Sequence, residues 1–234
     1  MNIRVPRTRR ILAVLEVFVL IAVPLALGLC AYFQVEQAAL LTLVVTLVAL
    51  GIFFASFEAS RPALRQIMPT VVLAALASAG RILFAPVPGI KPVSALCIVA
   101  GAVFGRRSGF MVGALAALVS NFFFGQGPWT PWQMYGWGLV GYLAGVLADR
   151  GWLNHMLVLC AYGFMSALLY GLVLNGWYVV GFVHPLTWVT IVAAYAAGLP
   201  FDSAQGVATV AFLGVLYVPW RRKLERIKDK FALT

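Results

Sequence analysis

The chain has 234 residues, of which 63% are hydrophobic and 10% are charged, and its formal net charge is +10. A soluble domain carries roughly 25% charged residues and cannot bury so much apolar surface. The composition therefore excludes a water-soluble globular protein and predicts one compact integral membrane protein.

Apolar segments follow one another along the whole chain, and a helix needs roughly 20 such residues to cross a bilayer. We predict an all-α integral membrane protein, a compact bundle of eight transmembrane helices at residues 11–33, 38–57, 67–84, 93–104, 109–124, 134–148, 154–174 and 203–220. The fourth segment is short for a full crossing. Short or broken segments are expected around a central cavity in transport proteins.

The distribution of basic residues predicts the orientation of the bundle. If the N-terminus lies on the cytoplasmic side, every Lys and Arg except Arg81 and Lys91 lies at the inner side. Positive residues in short loops are retained on the cytoplasmic side, so both termini are expected inside. The positive charge is then a signal of orientation and does not indicate a nucleic-acid partner.

Two units are expected along the chain: an N-terminal pair of spans in residues 1–57 and a six-helix core in residues 58–234. A ninth crossing near the C-terminus would place the basic tail outside, so residues 175–202 are predicted to form a long outer loop that dips into the fold. Irregular backbone at membrane depth survives only where it is buried in protein or lines a cavity. Together with the outer loops 85–92 and 125–133, this loop would complete a binding cup.

The predicted cup collects most of the polar and aromatic side chains of the outer half. Aromatic rings offer a ligand flat apolar surfaces and amides orient it, which is the usual composition of a small-molecule pocket. The candidate substrate-binding residues are Arg81, Lys91, Asn121, Gln126, Trp129, Trp132, Gln133, Tyr135, Trp177, Tyr178 and His184.

Other interpretations of these residues stay open. The Trp and Tyr side chains could form the aromatic belt of a membrane interface. Arg81 could pair with a carboxylate such as Asp202 or meet an anionic or amide group of a ligand, because a charge at membrane depth needs a partner. His184 could ligate a metal-bearing ligand or be an ordinary loop residue. Glu16 is expected to reach, half-exposed, toward the N-terminal arginines.

The sequence argues against an enzyme and assigns no catalytic residue. An intramembrane hydrolase needs converging Ser and His, paired Asp, or a metal set of His and Glu, whereas the two histidines here fall on opposite sides. The cysteines Cys30, Cys97 and Cys160 lie singly in apolar runs, so neither a metal site nor a disulfide is expected. No phosphate-binding P-loop is present, so the protein would depend on a partner for energy.

A set of motifs runs from Met68 to the C-terminus: VLAALASAGR, PVPGIKP, AGAVFGRRSGFMVGALAALVSNFFFG, GQGPWTPWQMYGWGLVGYLAG and GLPFD. On these motifs the chain resembles the substrate-binding (S) component of an energy-coupling factor (ECF) vitamin transporter, in the subgroup for cobalamin or related corrinoids. The two N-terminal spans depart from the usual six-helix core of that family.

The resemblance implies a substrate-binding subunit of an ABC-type importer. It would bind its vitamin from outside and dock on a transmembrane coupling subunit that is driven by two ATPase subunits. Ala75 and Ala79 match the small-residue face that contacts the coupling subunit, since small residues let helices approach closely. Cobalamin would be the transported ligand, with no permanently bound cofactor. A flavin, a modified nucleobase precursor, a carboxylated vitamin or a non-transport membrane scaffold are the alternatives.

Overall fold

The computed structural model describes residues 7–33, 38–59 and 64–230, and within them the chain forms eight α-helices and one short 3-10 turn, with no strand. The all-α prediction is confirmed, and each helix overlaps one of the predicted segments. The helices are α1 Arg7–Phe33, α2 Ala38–Ala59, α3 Leu64–Leu83, α4 Val93–Phe104, α5 Arg106–Phe124, α6 Thr130–Asp149, α7 Met156–Phe182 and α8 Trp188–Lys230, with the 3-10 turn Trp152–Asn154 before α7.

Five of these helices, α1, α2, α5, α7 and α8, are long and apolar enough to cross a membrane. The apolar part of α3, Ile67–Leu83, and the 12-residue α4 are shorter. Ten of the residues of α4 are buried, so this helix is enclosed by its neighbours. The protein is therefore a multi-pass membrane protein built around a short, protein-enclosed helix.

The predicted outer loop 175–202 is wrong in extent. Helix α7 continues to Phe182, the connection is residues 183–187, and α8 begins at Trp188 and runs through the GLPFD motif. At 1.5 Å per residue, the 43 residues of α8 span about 64 Å, twice the hydrocarbon thickness. The prediction considered only two possibilities for these residues, an additional membrane crossing or a loop. In the structure, α7 and α8 are both longer than predicted at the end where they are joined, so the number of crossings stays the same.

The backbones of α4, α5 and α6 touch one another through glycines. A Cβ atom added at Gly101 or at Gly109 would collide with the carbonyl oxygen of Gly141 on α6. A Cβ atom at Gly113 would collide with the backbone of Trp137, again on α6. Lipid supplies no hydrophobic drive for helix association, so this close approach is what holds the core together.

Polar side chains gather at opposite ends of this core. We call the end that carries Arg107, at the start of α5, the basic end, and Lys228 of α8 lies there too, donating to the Val103 carbonyl oxygen at 2.9 Å. The end that carries Arg81 and Asn121 is the amide end. Helices α1 and α2 pack on each other and together contact α5, α6 and α7.

The N-terminal helix pair is joined to the core at the basic end by Glu16. Its carboxylate is fully buried and accepts hydrogen bonds from Arg107 Nε at 2.6 Å, from the Tyr142 hydroxyl at 3.0 Å and from the Ser56 hydroxyl. The expectation of a half-exposed Glu16 is wrong, because side chains of α2, α5 and α6 enclose it. One carboxylate thus connects four helices.

Replacing Glu16 with Ala should lower the free energy of unfolding by about 3–5 kcal/mol, because it leaves the Arg107 guanidinium without its carboxylate. Reversible unfolding of the purified protein in mixed micelles measures the effect. Glu58→Ala is the control, since Glu58 is an exposed acid of α2, and a surface change of this kind costs within about 0.5 kcal/mol. Equal losses in the two variants would contradict the assigned role.

Candidate functional site

A buried hydrogen-bond network joins α3, α5 and α6 at the amide end. Arg81, at the last turn of α3, donates from Nη1 to Ser120 Oγ at 2.6 Å and to Asn121 Oδ1 at 2.7 Å. The Asn121 amide nitrogen donates to Gln133 Oε1 at 2.8 Å and to Thr130 Oγ1 at 3.0 Å. Arg81 is 6% exposed and Asn121 is fully buried. Every acceptor that the structure gives this guanidinium is therefore neutral.

Two aromatic rings flank the guanidinium of Arg81. Its central carbon lies 4.7 Å from the ring centroid of Phe124 and 4.9 Å from that of Trp137. Such contacts are favourable, and more so where water is excluded. The ion pairs within the described residues are Glu16–Arg107 and Arg221–Glu225, so the alternative of an Arg81–Asp202 pair is not observed.

Asp202 lies against α7 instead. Its carboxylate accepts a hydrogen bond from Asn175 Nδ2 at 3.1 Å, and a Cβ atom at Gly171 would collide with it. Tyr170 of α7 lies near both Arg81 and Asp202. The Tyr170 ring also stacks on Trp137, with centroids 4.5 Å apart.

The loop of residues 84–92 brings a second cation to the same place. Gly89 adopts a positive φ of 78° and lies against α8, where an added Cβ atom would be 3.3 Å from that of Ala204. Lys91 follows, with Nζ 5.7 Å from the ring centroid of Phe201. Burial lowers the pKa of Lys91, and the nearby charge of Arg81 lowers it further. The amide end thus holds two neighbouring cations.

The structure brings five of the predicted site residues into this cluster. They are Arg81, Lys91, Asn121, Gln126 and Gln133. Gln126 joins through Thr130, whose hydroxyl donates to Gln126 Oε1 at 2.9 Å. We call these residues, with Ser120, Thr130, Trp137 and Tyr170, the amide-end cluster.

The other predicted aromatic residues lie elsewhere. The hydroxyl of Tyr135 donates to the Leu20 carbonyl oxygen at 3.1 Å, so this ring serves the contact with α1. Trp132 is fully buried, whereas Trp129, just before α6, is 36% exposed. Trp177 and Tyr178 of α7 both contact the ring of Phe182 near the end of that helix.

His184 is exposed in the connection between α7 and α8. In the part of the chain that the structure describes, no three His, Cys, Asp or Glu side chains come together.

Ser120, Thr130, Trp137 and Tyr170 were not among the predicted site residues. Ser120 directly precedes the predicted residue Asn121 and Thr130 directly follows the predicted residue Trp129, so proximity in sequence is a usable signal for them. Tyr170 lies in the middle of an apolar helix, and its membership follows only from the packing of α6 on α7.

Two cavities lie away from the cluster. One, of about 250 Å³, is lined by apolar residues of α1, α7 and α8 such as Leu27, Val173 and Ile191. The other, of about 300 Å³, lies at the basic end beside Tyr217 and Arg221. No residue of the amide-end cluster lines either cavity.

Comparison with known families matches residues 61–225 to DUF6580, a family of unknown function. The chain belongs to this family. The match begins after α2 and includes the whole amide-end cluster, so the cluster is part of the DUF6580 region and the N-terminal helix pair lies outside it. Comparisons with curated proteins and with solved structures found no match.

Replacing Asn121 with Ala should lower the free energy of unfolding by about 1–3 kcal/mol, because it removes one acceptor from Arg81 and leaves Gln133 and Thr130 without their shared donor. Unfolding in mixed micelles gives the measurement. Glu58→Ala, at an exposed position of α2 outside the cluster, is the control and should cost much less. An Asn121 variant as stable as the control would show that the network is not cooperative.

Proposed function

We propose that the protein is a substrate-binding component of an ECF-type importer, which captures a vitamin or vitamin precursor at the amide end. The observation that carries the proposal is the amide-end cluster: neutral amides, hydroxyls and aromatic rings gathered around a buried guanidinium in an otherwise apolar bundle. Ionisable groups within a membrane bundle mark ligand or transport sites. Aromatic surfaces with a few convergent polar groups are what a small-molecule site requires.

The proposed orientation places the amide end outside, in a prokaryotic plasma membrane, with both termini in the cytoplasm. The arginines at the start of α5 and the basic last turns of α8 lie at the opposite end. This distribution supports the orientation because positive residues stay on the cytoplasmic side. Helices α7 and α8 continue past the Asn175–Asp202 contact to residues 183–187, so their ends would rise beside the entrance.

Cobalamin or a related corrinoid is the ligand that the sequence resemblance favours, and another vitamin or precursor of similar character is the alternative. The rings of Phe124, Trp137 and Tyr170 would contact flat parts of the ligand. The amides of Asn121 and Gln133 would orient its polar groups. The loop of residues 84–92 lies over this region and would be displaced on entry.

Energy for transport would come from partner proteins, a transmembrane coupling subunit and two ATPases. Ala75 and Ala79 are exposed on α3, on a face that also carries Val71, Val72 and Leu76. The N-terminal helix pair contacts α5, α6 and α7 and leaves Ala75 and Ala79 uncovered. A smooth surface of small residues lets the helices of a partner approach closely.

If the proposal is right, the protein purified gently from its native membrane should carry a small molecule that mass spectrometry detects, and a corrinoid would show its visible absorbance. The ligand should be imported by cells only when the coupling subunit and ATPases are present. A protein that carries no ligand, and whose deletion leaves vitamin uptake unchanged, would instead be a membrane scaffold.

Replacing Ala75 or Ala79 with Trp should abolish uptake and leave ligand binding intact, because bulk on this face would keep the coupling subunit away. Uptake by whole cells and binding to the purified variant are measured side by side. Ala55→Trp is the matched control, an exposed alanine on α2. Unchanged uptake in the Ala75 and Ala79 variants would disprove docking at this face.

A further inference from the structure

We infer that the ligand of the amide-end cluster carries a carboxylate, and that this carboxylate binds the guanidinium of Arg81. The inference rests on the proposed function, because it names the chemical class of the ligand that the site would take. It concerns a single anionic group, placed beside aromatic rings, and it distinguishes an organic acid from a neutral ligand such as a corrinoid rich in amides.

The first argument is charge. Arg81 is 94% buried and has no carboxylate of a described residue within 4.0 Å, and its Nη1 donates to the neutral oxygens of Ser120 and Asn121. A buried charge is costly unless it is paired. Lys91 adds a second positive charge beside it. Asp202 of α8 accepts a hydrogen bond from Asn175 of α7 and forms no ion pair with Arg81.

The second argument is hydrogen bonding. Within the described residues, five buried side-chain atoms have no hydrogen-bond partner, and three of these are nitrogen donors: Arg81 Nε, Trp132 Nε1 and Trp137 Nε1. Two of the donors, those of Arg81 and Trp137, belong to groups 4.9 Å apart. The cluster therefore lacks acceptors. An ionised carboxylate is a ligand group that only accepts.

The third argument is the geometry of the guanidinium. Phe124 and Trp137 fix its plane, and Ser120 and Asn121 hold Nη1, which leaves the Nε atom without a partner. Guanidinium groups bind carboxylates through two parallel hydrogen bonds from one edge of the group, and the Nε atom belongs to one of these edges. The protein thus holds the Arg81 guanidinium in place before a ligand binds, so little side-chain conformational freedom would be lost on binding.

One carboxylate matches the net charge of the site. Among the described residues of the amide end, Arg81 and Lys91 contribute two positive charges and Asp202 one negative charge, a balance that a monoanion neutralises. A di- or trianion would leave excess negative charge in a region of low dielectric constant. The structure therefore favours a monocarboxylic acid with an aromatic or other flat apolar part.

The test uses the full-length protein in detergent and matched pairs of acids and primary amides, starting with nicotinate and nicotinamide and with benzoate and benzamide, and extending to larger flat scaffolds. Binding is measured by calorimetry at fixed ionic strength. At least one acid should bind at least about 30-fold more tightly than its amide, the factor expected when a buried charge pair is lost. A panel in which no acid exceeds its amide would overturn the inference.

Variants assign the preference to Arg81. Arg81→Met should remove the preference for the acid, while Arg150→Met, which removes an exposed arginine at the basic end, should retain it. Asn121→Asp keeps the shape of the network but places a carboxylate 2.7 Å from Nη1. This internal acid should lower the ratio of acid affinity to amide affinity at least about 30-fold. An undiminished ratio in Asn121→Asp would overturn the inference even if Arg81→Met does not fold.

The two proposals fail differently. A protein that imports a neutral corrinoid, and that shows no preference for acids, would keep the proposed transport function and overturn the carboxylate. A protein that binds an acid through Arg81, but whose loss never changes uptake of that acid, would keep the carboxylate and overturn the transport function.

Discussion

The contact between the backbones of α5 and α6 fixes both polar regions of the molecule. Gly109 and Gly141 leave no room for a Cβ atom between the two helices, so their axes are close and their register is set. The same register places Asn121 beside Gln133 at one end, and Arg107 and Tyr142 around Glu16 at the other. The site and its anchor to the N-terminal helices are therefore consequences of a single packing contact.

The two ends solve the problem of a largely buried arginine in different ways. Arg107 binds Glu16 directly, so its charge is compensated within the chain. Arg81 is bound by a hydroxyl, an amide oxygen and two aromatic rings, none of which carries a full charge. An arginine with a purely structural role is expected to have a carboxylate partner, as Arg107 has. Arg81 instead has an Nε atom without a hydrogen-bond partner. The contrast is the strongest reason to regard Arg81 as part of a site rather than as part of the scaffold.

Sequence alone locates the helices well, because long apolar runs and the loops between them are strong signals in a membrane protein. The bounds of α4 agree residue for residue with the predicted segment 93–104. The predicted loop 175–202 was wrong because the only alternative considered was a further membrane crossing, whereas α7 and α8 extend together beyond the Asn175–Asp202 contact. The amino-acid composition of a helix does not show how far the helix extends beyond the bilayer.

The site was only partly accessible to sequence analysis. Arg81, Asn121 and Gln133 are conspicuous because polar residues are rare in this chain, and the structure joins them. Tyr135 was assigned to the same site by proximity in sequence, but its position on α6 directs its hydroxyl to α1. Tyr170 was missed because only the packing of α7 brings it to the cluster. Which face of a helix a residue occupies depends on tertiary contacts.

The N-terminal helix pair must move with the core in any transport cycle. It lies outside the region that matches DUF6580, yet the fully buried Glu16 joins it to Arg107 and Tyr142, and Tyr135 adds a bond to the backbone of α1. Separating the pair would leave the buried Glu16 carboxylate without its Arg107 partner, at a cost of about 3–5 kcal/mol. The N-terminal pair and the core therefore form one body, in which the α3 face with Ala75 and Ala79 stays exposed.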